Sequence, residues 1–127
     1  MKKKILLIDD EAAFTSMLKL FLESTGEYNV AVENNPHRAV NAAEIHTPHL
    51  ILLDVIMPEL EGSDVADRIR QHPNLNKTPI IFLTATIRED EMQESQGVIA
   101  DQQFIAKLSN TDFLIDSIEK KIALTHS

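Results

Sequence analysis

Five polar residues at the ends of four short apolar runs are of types that could carry out phosphate and metal chemistry. They are three acids, one hydroxyl and one amine: Asp9, Asp10, Asp54, Thr84 and Lys107. Carboxylates are the oxygen ligands that Mg²⁺ prefers, and a divalent ion would relieve the repulsion between neighbouring acids. An ammonium and a hydroxyl can hold phosphate oxygens, and an aspartate can accept a phosphoryl group as an acyl phosphate. Together, these residue types are those of a magnesium-dependent phosphoryl-transfer site.

The apolar runs that precede these residues predict a parallel sheet. Ile5–Ile8, Leu50–Leu53 and Ile80–Leu83 are continuously apolar and lack alternation, as expected for strands buried on both faces. Tyr28–Val32 and Gln103–Ala106 are more mixed and predict edge strands. Polar residues at the carboxyl ends of parallel strands meet at one edge of the sheet, where doubly wound folds bind ligands.

Helical spacing of apolar residues separates these strands. The first predicted helix has an apolar stripe and is stopped by Gly26; the stripe is Phe14, Met17, Leu18, Phe21 and Leu22. The later predicted helices are, in order, one opened by Asn35 and Pro36, Ser63–Gln71, Arg88–Gln96, and one capped by Asn110 or Thr111. Glu11 is predicted to be a first-turn residue of the first helix. Strand and helix alternate five times, which predicts a doubly wound α/β domain with helices on both faces.

Composition narrows the function classes further. The chain has 127 residues, of which 43% are hydrophobic, so a single domain over residues 1–127 is expected. It has no cysteine, which excludes disulfides and thiolate chemistry, and its net charge of −8 disfavours direct binding to nucleic acid. The apolar run after Lys2–Lys4 is too short for a secretory signal, and no stretch reaches the ~18 apolar residues of a membrane span. We therefore expect a cytoplasmic protein.

The full set of residues resembles the response-regulator receiver domains of two-component signalling, including the chemotaxis regulators. The features that carry the resemblance are the pair Asp9-Asp10, Asp54 with Met57-Pro58 and Gly62 after it, Thr84, and Lys107. The resemblance covers essentially the whole chain. It implies a flavodoxin-like (βα)5 fold whose five-stranded parallel sheet has the order 2-1-3-4-5.

The resemblance also implies a role for each acid. Asp54 would be the phosphoacceptor and would bind Mg²⁺ together with the backbone carbonyl of Ile56. Asp10 would bind the metal directly, and Asp9 would act mostly through water. The domain would catalyse only its own phosphorylation and dephosphorylation.

The other residues of the pattern would bind the phosphoryl group and transmit its arrival. Lys107, Thr84 and the backbone N–H of Ala85 would contact the phosphoryl oxygens. Phe104 would be the switch aromatic, turning inward as Thr84 moves and reshaping the surface formed by the fourth predicted helix, the fifth predicted strand and the fifth predicted helix. That surface would bind a downstream effector or output domain, or a second copy in a dimer. The phosphoryl donor would be a sensor histidine kinase or a histidine phosphotransfer protein.

Two features of the sequence affect how firmly Lys107 would be held and how fast the phosphoryl group would be lost. The residue after Lys107 is Leu108, where the family usually has a proline after a cis bond. A cis bond before a non-proline residue costs about 2.5–4 kcal/mol, so a trans bond and a less firmly held Lys107 are expected. Ile56 and Thr86 occupy the positions that tune access of water, and an apolar Ile56 predicts slow self-dephosphorylation.

Three other functions compete with this one. A haloacid-dehalogenase-type phosphatase would need a second aspartate at Ile56, and an FMN carrier would need a hydroxyl- and Gly-rich loop where this chain has Asp9-Asp10-Glu11. A receiver-like docking module that acts without phosphorylation is favoured by Leu108 but disfavoured by the complete set of acids with Thr84 and Lys107.

Overall fold

The apolar runs form the central strands of one sheet in a computed structural model that describes residues 2–58, 60–85, 98–99, 102–107 and 111–126. The strands are β1 (Lys3–Ile8), β2 (Tyr28–Glu33), β3 (Leu50–Asp54), β4 (Ile80–Thr84), β5 (Val98–Ile99) and β6 (Gln102–Ala106). The helices are α1 (Ala12–Ser24), α2 (Ala39–His46), α3 (Gly62–Gln71) and α4 (Thr111–His126).

The strand order confirms the prediction from the sequence. The sheet runs β2-β1-β3-β4-β6-β5, and every pair from β2 to β6 is parallel. Because β6 is the fifth parallel strand, the order of the parallel strands is 2-1-3-4-5. The two-residue strand β5, which the sequence did not predict, pairs antiparallel with β6 at the edge. The chain passes from β2 across β1 to β3, so the switch in strand order lies between β1 and β3.

Two apolar layers, one on each face of the sheet, explain why the central strands lack alternation. Leu6 and Ile8 pack on one face with residues of α2 and α3, and Ile5 and Leu7 pack on the other with residues of α1 and α4. Every residue of β3 and β4 is buried. The sheet can therefore hold the residues at its carboxyl edge in fixed positions.

The helices differ from the prediction in three details. The carboxamide of Asn35 accepts the N–H of His37 at 3.0 Å as a cap, but the turn that follows is a 3-10 turn, Pro36–Arg38, leading into α2. Met17 is 58% exposed rather than turned to the core. Since α1 begins at Ala12 and has no acid in its first turn, the prediction for Glu11 is wrong.

Several predictions fall outside the described residues. They are the helix Arg88–Gln96, the water-access position Thr86, the bond between Lys107 and Leu108, and the cap at Asn110. Across the part of the chain that the structure describes, no helix has both the length and the hydropathy to cross a membrane.

Candidate functional site

The ends of the parallel strands bring four of the five predicted polar side chains to one edge of the sheet. Asp9 follows β1, Asp54 is the last residue of β3, and Thr84 is the last residue of β4. Lys107 follows β6, and its N–H donates to the carbonyl of Thr84 at 2.9 Å, which continues the pairing of β6 with β4. The side chains therefore line the cleft at the switch between β1 and β3.

Asp9 is held in the cleft by its own loop. Its side chain is fully buried, and its Oδ1 accepts the N–H of Glu11 at 2.9 Å. From the loop that follows β2, the carboxamide of Asn34 donates to the carbonyl of Asp9 at 2.7 Å and to the hydroxyl of Thr15 at 3.1 Å. These bonds turn the backbone after β1 so that Asp9 points into the cleft.

Asp54 is positioned by the strand on one side and by the start of α3 on the other. It is 3% exposed, and the next residue, Val55, donates its N–H to the carbonyl of Leu83 at 3.0 Å. The carbonyl of Val55 accepts the N–H of Gly62 at 2.9 Å, which brings the first residue of α3 against the backbone of Asp54. Asp54 therefore sits on a rigid part of the fold.

Lys107 extends its ammonium among the acids. Its Nζ lies 2.8 Å from Oδ2 of Asp9, 2.8 Å from Oε1 of Glu11 and 3.4 Å from Oδ1 of Asp54. The same atom lies 4.9 Å from the centroid of the Phe14 ring, within range of a cation–π contact. The Lys107 side chain is only 7% exposed, so this buried cation offsets part of the repulsion between the acids.

The acids of the cleft fit a magnesium ion. Carboxylate oxygens of Asp9, Glu11 and Asp54 lie within 4.8 Å of one another. Oδ2 of Asp9 and Oδ2 of Asp54 are buried and accept no hydrogen bond from the described residues; Oδ2 of Asp9 meets Lys107 only as an ion pair. Buried carboxylate oxygens with unused lone pairs are suited to a hard divalent cation. Asp10, which the resemblance assigns to direct metal binding, is not in this group and is half-buried.

Burial and the neighbouring charges shift the pKa values of two groups. Burial, followed by the charge of Asp9, raises the pKa of Asp54 to about 6, although Lys107 and the N–H of Ile56 oppose the shift. Burial alone would lower the pKa of Lys107. Its close contacts with Asp9 and Glu11, with the charges of Asp9 and Asp54, instead raise the pKa above its ordinary value. Lys107 therefore stays charged at neutral pH, while the proton of Asp54 is held more tightly than usual.

The remaining predicted residues surround this centre. Thr84 is buried at the end of β4, whereas Ala85 is exposed beside it. Ile56, two residues after Asp54, is 63% exposed. Phe104 on β6 is half-buried and stacks on Phe82, with ring centroids 5.1 Å apart.

The sequence did not point to three residues that contact this centre. Glu11 and Phe14 contact Lys107, and Asn34 holds the backbone of Asp9. The position of Glu11 in an unbroken run of three acids was the one available signal. Nothing in the spacing of Phe14 or Asn34 separates them from an ordinary helix residue and an ordinary loop residue.

A doubly wound parallel sheet with buried acids and a lysine at its switch point defines a class of ligand-binding α/β domains. Residues 5–119 match the family model of the response regulator receiver domain. The chain therefore belongs to the response regulator receiver family.

Individual relatives agree with this family. The alkaline phosphatase synthesis transcriptional regulatory protein PhoP of Bacillus subtilis is 37% identical over 98 residues, which are 77% of this chain and 39% of that protein. The nisin biosynthesis regulatory protein NisR of Lactococcus lactis is 31% identical over 119 residues, which are 94% of this chain and 50% of that protein. The chain thus spans at most half the length of these two relatives.

Solved structures show the same fold. The receiver domain of a sensor histidine kinase from Pseudomonas aeruginosa, which has a magnesium ion coordinated in its active site cleft, matches with a TM-score of 0.79 at 28% identity. This match covers 97% of the present chain and 99% of the Pseudomonas chain.

Proposed function

We propose that this chain is a phosphoacceptor receiver domain in which Asp54 takes a phosphoryl group from a phosphohistidine. The observation that carries the proposal is the position of the Lys107 ammonium, which lies between the buried carboxylates of Asp9 and Asp54 at the switch point. A purely structural lysine gains little from such a place, because burying its charge is costly. A phosphoryl group arriving on Asp54 would bring new negative charge next to this cation.

In the transfer step, a carboxylate oxygen of Asp54 attacks the phosphorus atom. The new O–P bond forms as the P–N bond to the histidine breaks, and the ring nitrogen keeps the electron pair of that bond. Since attack requires the ionised carboxylate, the pKa of about 6 leaves most of Asp54 competent at neutral pH. Lys107, Thr84 and the N–H of Ala85 then bind the phosphoryl oxygens.

A bound Mg²⁺ would neutralise the charge that builds up on the phosphoryl oxygens. Asp9 and Asp54 offer it buried oxygens without hydrogen bonds from the described residues. Asp10 and the carbonyl of Ile56 are the further ligands that we propose. The magnesium ion of the Pseudomonas receiver domain supports the choice of metal.

Phosphorylation would act on partners through Thr84 and Phe104. Movement of Thr84 toward the phosphoryl group would open space for Phe104, which already stacks on Phe82, to turn further inward. The surface around β6 and α4 would then bind an effector, an output domain or a second copy. We propose that the chain acts in the cytoplasm, where a sensor histidine kinase or a histidine phosphotransfer protein would supply the phosphoryl group.

The test is labelling with acetyl phosphate in the presence of Mg²⁺, followed by intact mass. We expect one added phosphoryl group on the wild-type protein, lost on treatment with hydroxylamine because that reagent cleaves acyl phosphates. Asp54→Asn should take up none, and Asp67→Asn on the exposed side of α3 should behave as the wild type. If the wild-type protein gains no phosphoryl group, the docking-module alternative is favoured.

A further inference from the structure

The ammonium of Lys107 is bound more closely by the loop after β1 than by the acceptor. Its contacts with Asp9 and Glu11 are both 2.8 Å, whereas its contact with Asp54 is 3.4 Å. The ammonium donates a hydrogen bond to Glu11 and lies within ion-pair distance of Asp9 and Asp54. A phosphoryl group on Asp54 would therefore compete with these carboxylates for Lys107.

Glu11 is built to hold this lysine from the solvent side. Its backbone is fixed, because its N–H donates to Oδ1 of Asp9 at 2.9 Å. Its side chain is 62% exposed, makes no cap for α1, and accepts a hydrogen bond from Nζ of Lys107 at 2.8 Å. Phe14, one turn along the chain, lies against the same ammonium. Glu11 and Phe14 thus cover a lysine that is only 7% exposed.

We propose that Glu11 is a positioning residue that restrains Lys107 in the unphosphorylated protein and competes with the phosphoryl group for its ammonium. This inference rests on the proposed function. Of the three carboxylates, Glu11 is the one that can let go at least cost, because water can solvate it as soon as the bond breaks. Asp9 is fully buried and would be left as an uncompensated charge.

The competition predicts the direction in which loss of the Glu11 charge shifts the balance between the unphosphorylated and phosphorylated states. When the glutamate charge is removed, Lys107 loses a partner in the unphosphorylated state but not in the phosphorylated state. The nearby phosphoryl anion also loses a repelling neighbour. Both effects favour the phosphorylated state. An ion pair with one exposed partner contributes about 0.2–1 kcal/mol, which corresponds to a change of up to about fivefold in an equilibrium constant.

The first measurement is the reactivity of each lysine with an amine-acylating reagent, read by peptide mass spectrometry. In the metal-free protein, Glu11→Gln should increase the labelling rate of Lys107 by about two- to fivefold. Lys120, which is 75% exposed, should label at the same rate in both proteins. Glu27→Gln removes the same charge at the opposite end of the strands and should leave Lys107 unchanged.

The second measurement is the affinity for trifluoroberyllate, an analogue of a phosphoryl group on a carboxylate, at saturating Mg²⁺. Glu11→Gln should bind it about two- to fivefold more tightly than the wild type or Glu27→Gln. Unchanged labelling of Lys107 in Glu11→Gln would overturn the inference, whatever the phosphorylation result. If Lys107 labels faster in Glu11→Gln but trifluoroberyllate binds this variant equally or more weakly, Glu11 does not compete with the phosphoryl group.

The two proposals fail in different ways. If Lys107 labels faster in Glu11→Gln but the wild type forms no acyl phosphate, the restraint is supported and the proposed function fails. If the wild type forms an acyl phosphate and Glu11→Gln leaves the labelling of Lys107 unchanged, the proposed function stands and the restraint fails.

Discussion

Gly62, the first residue of α3, packs directly against the carbonyl oxygen of Asp54. A Cβ at position 62 would overlap that oxygen and would lie 3.0 Å from Cα of Val55. The contact leaves no room for any side chain, because both atoms belong to the backbone of a buried strand end. The lack of a side chain at position 62 therefore helps to set the position of Asp54.

Gly62→Ala should accordingly affect both stability and chemistry. Overlap with backbone atoms should lower the free energy of unfolding by about 1–3 kcal/mol, measured by urea denaturation. The displaced Asp54 should also be phosphorylated more slowly by acetyl phosphate in the folded protein.

Gly26→Ala is the matched control, because Gly26 has a φ of +81° but a Cβ there would meet no atom within 4 Å. It should cost a similar ~1–2 kcal/mol through backbone strain, with no change in the rate of phosphorylation. An equal loss of rate in both variants would contradict the positioning of Asp54 by Gly62.

Asp54→Asn should stabilise the metal-free protein at neutral pH. Burial raises the pKa of Asp54 from 3.8 to about 6, so the folded state binds this proton more tightly than the unfolded chain does. The resulting stabilisation is complete below the unfolded pKa and is lost as the pH rises through about 6. At pH ~7.5, Asp54→Asn should therefore raise the free energy of unfolding by roughly 2–3 kcal/mol, and near pH 4 the gain should shrink toward zero.

Denaturation at a series of pH values measures this difference in the free energy of unfolding. A gain that does not depend on pH would refute the raised pKa of Asp54. The exposed change Asp67→Asn should alter stability by less than ~0.5 kcal/mol.

Magnesium should stabilise the wild-type protein, and Asp10 should matter more to its binding than Glu11. An ion that binds only the folded state adds about 2.7 kcal/mol at one hundred times its dissociation constant. Glu11 is engaged by Lys107, whereas Asp10 has no hydrogen bond or ion pair with a described residue and can turn toward the ion. Asp10→Asn should weaken binding by about tenfold or more, and Glu11→Gln should weaken it by less. Calorimetric titration with Mg²⁺ measures both affinities; the reverse order would make Glu11 the metal ligand in place of Asp10.

Tyr28 should resist ionisation until the protein unfolds. Its hydroxyl donates to Oε1 of Glu119 at 2.5 Å, and Lys3 donates to Oε2 at 2.6 Å, so this group ties β1 and β2 to α4. Burial and the bond to Glu119 raise the pKa of Tyr28 above its ordinary value. The stabilisation is therefore present below pH ~10 and is lost as the pH rises through the folded pKa.

Because the chain has one tyrosine and no tryptophan, tyrosinate absorbance reports this residue alone. In Glu119→Gln the absorbance should appear at lower pH, before the loss of helical circular dichroism; ionisation near pH ~10 in the folded wild type would contradict the burial of this hydroxyl.

The fold could be predicted to within a residue or two at most strand ends. Runs such as Ile5–Ile8 and Leu50–Leu53 are apolar at every position, and that pattern is stable only in strands covered on both faces. The strand β5 was not predicted, because two residues carry no periodicity. Met17 was wrongly placed in the apolar stripe, because helical spacing defines a face but not the width of the surface that covers it.

The order of residue types along the chain was enough to predict which residues reach the carboxyl edge of the sheet. A polar residue at the end of a buried strand must lie at the rim of the sheet, so Asp54, Thr84 and Lys107 followed from the pattern of apolar runs. How the side chains meet at that edge depends on the three-dimensional fold. Successive residues after a strand point in different directions, and the hydrogen bond from Glu11 to Asp9 chose Asp9 rather than Asp10 for the interior. The same turn brought Glu11 back over Lys107, although 96 residues separate the two in the chain. Local sequence patterns do not encode such contacts, because they depend on where a loop places each side chain in three dimensions.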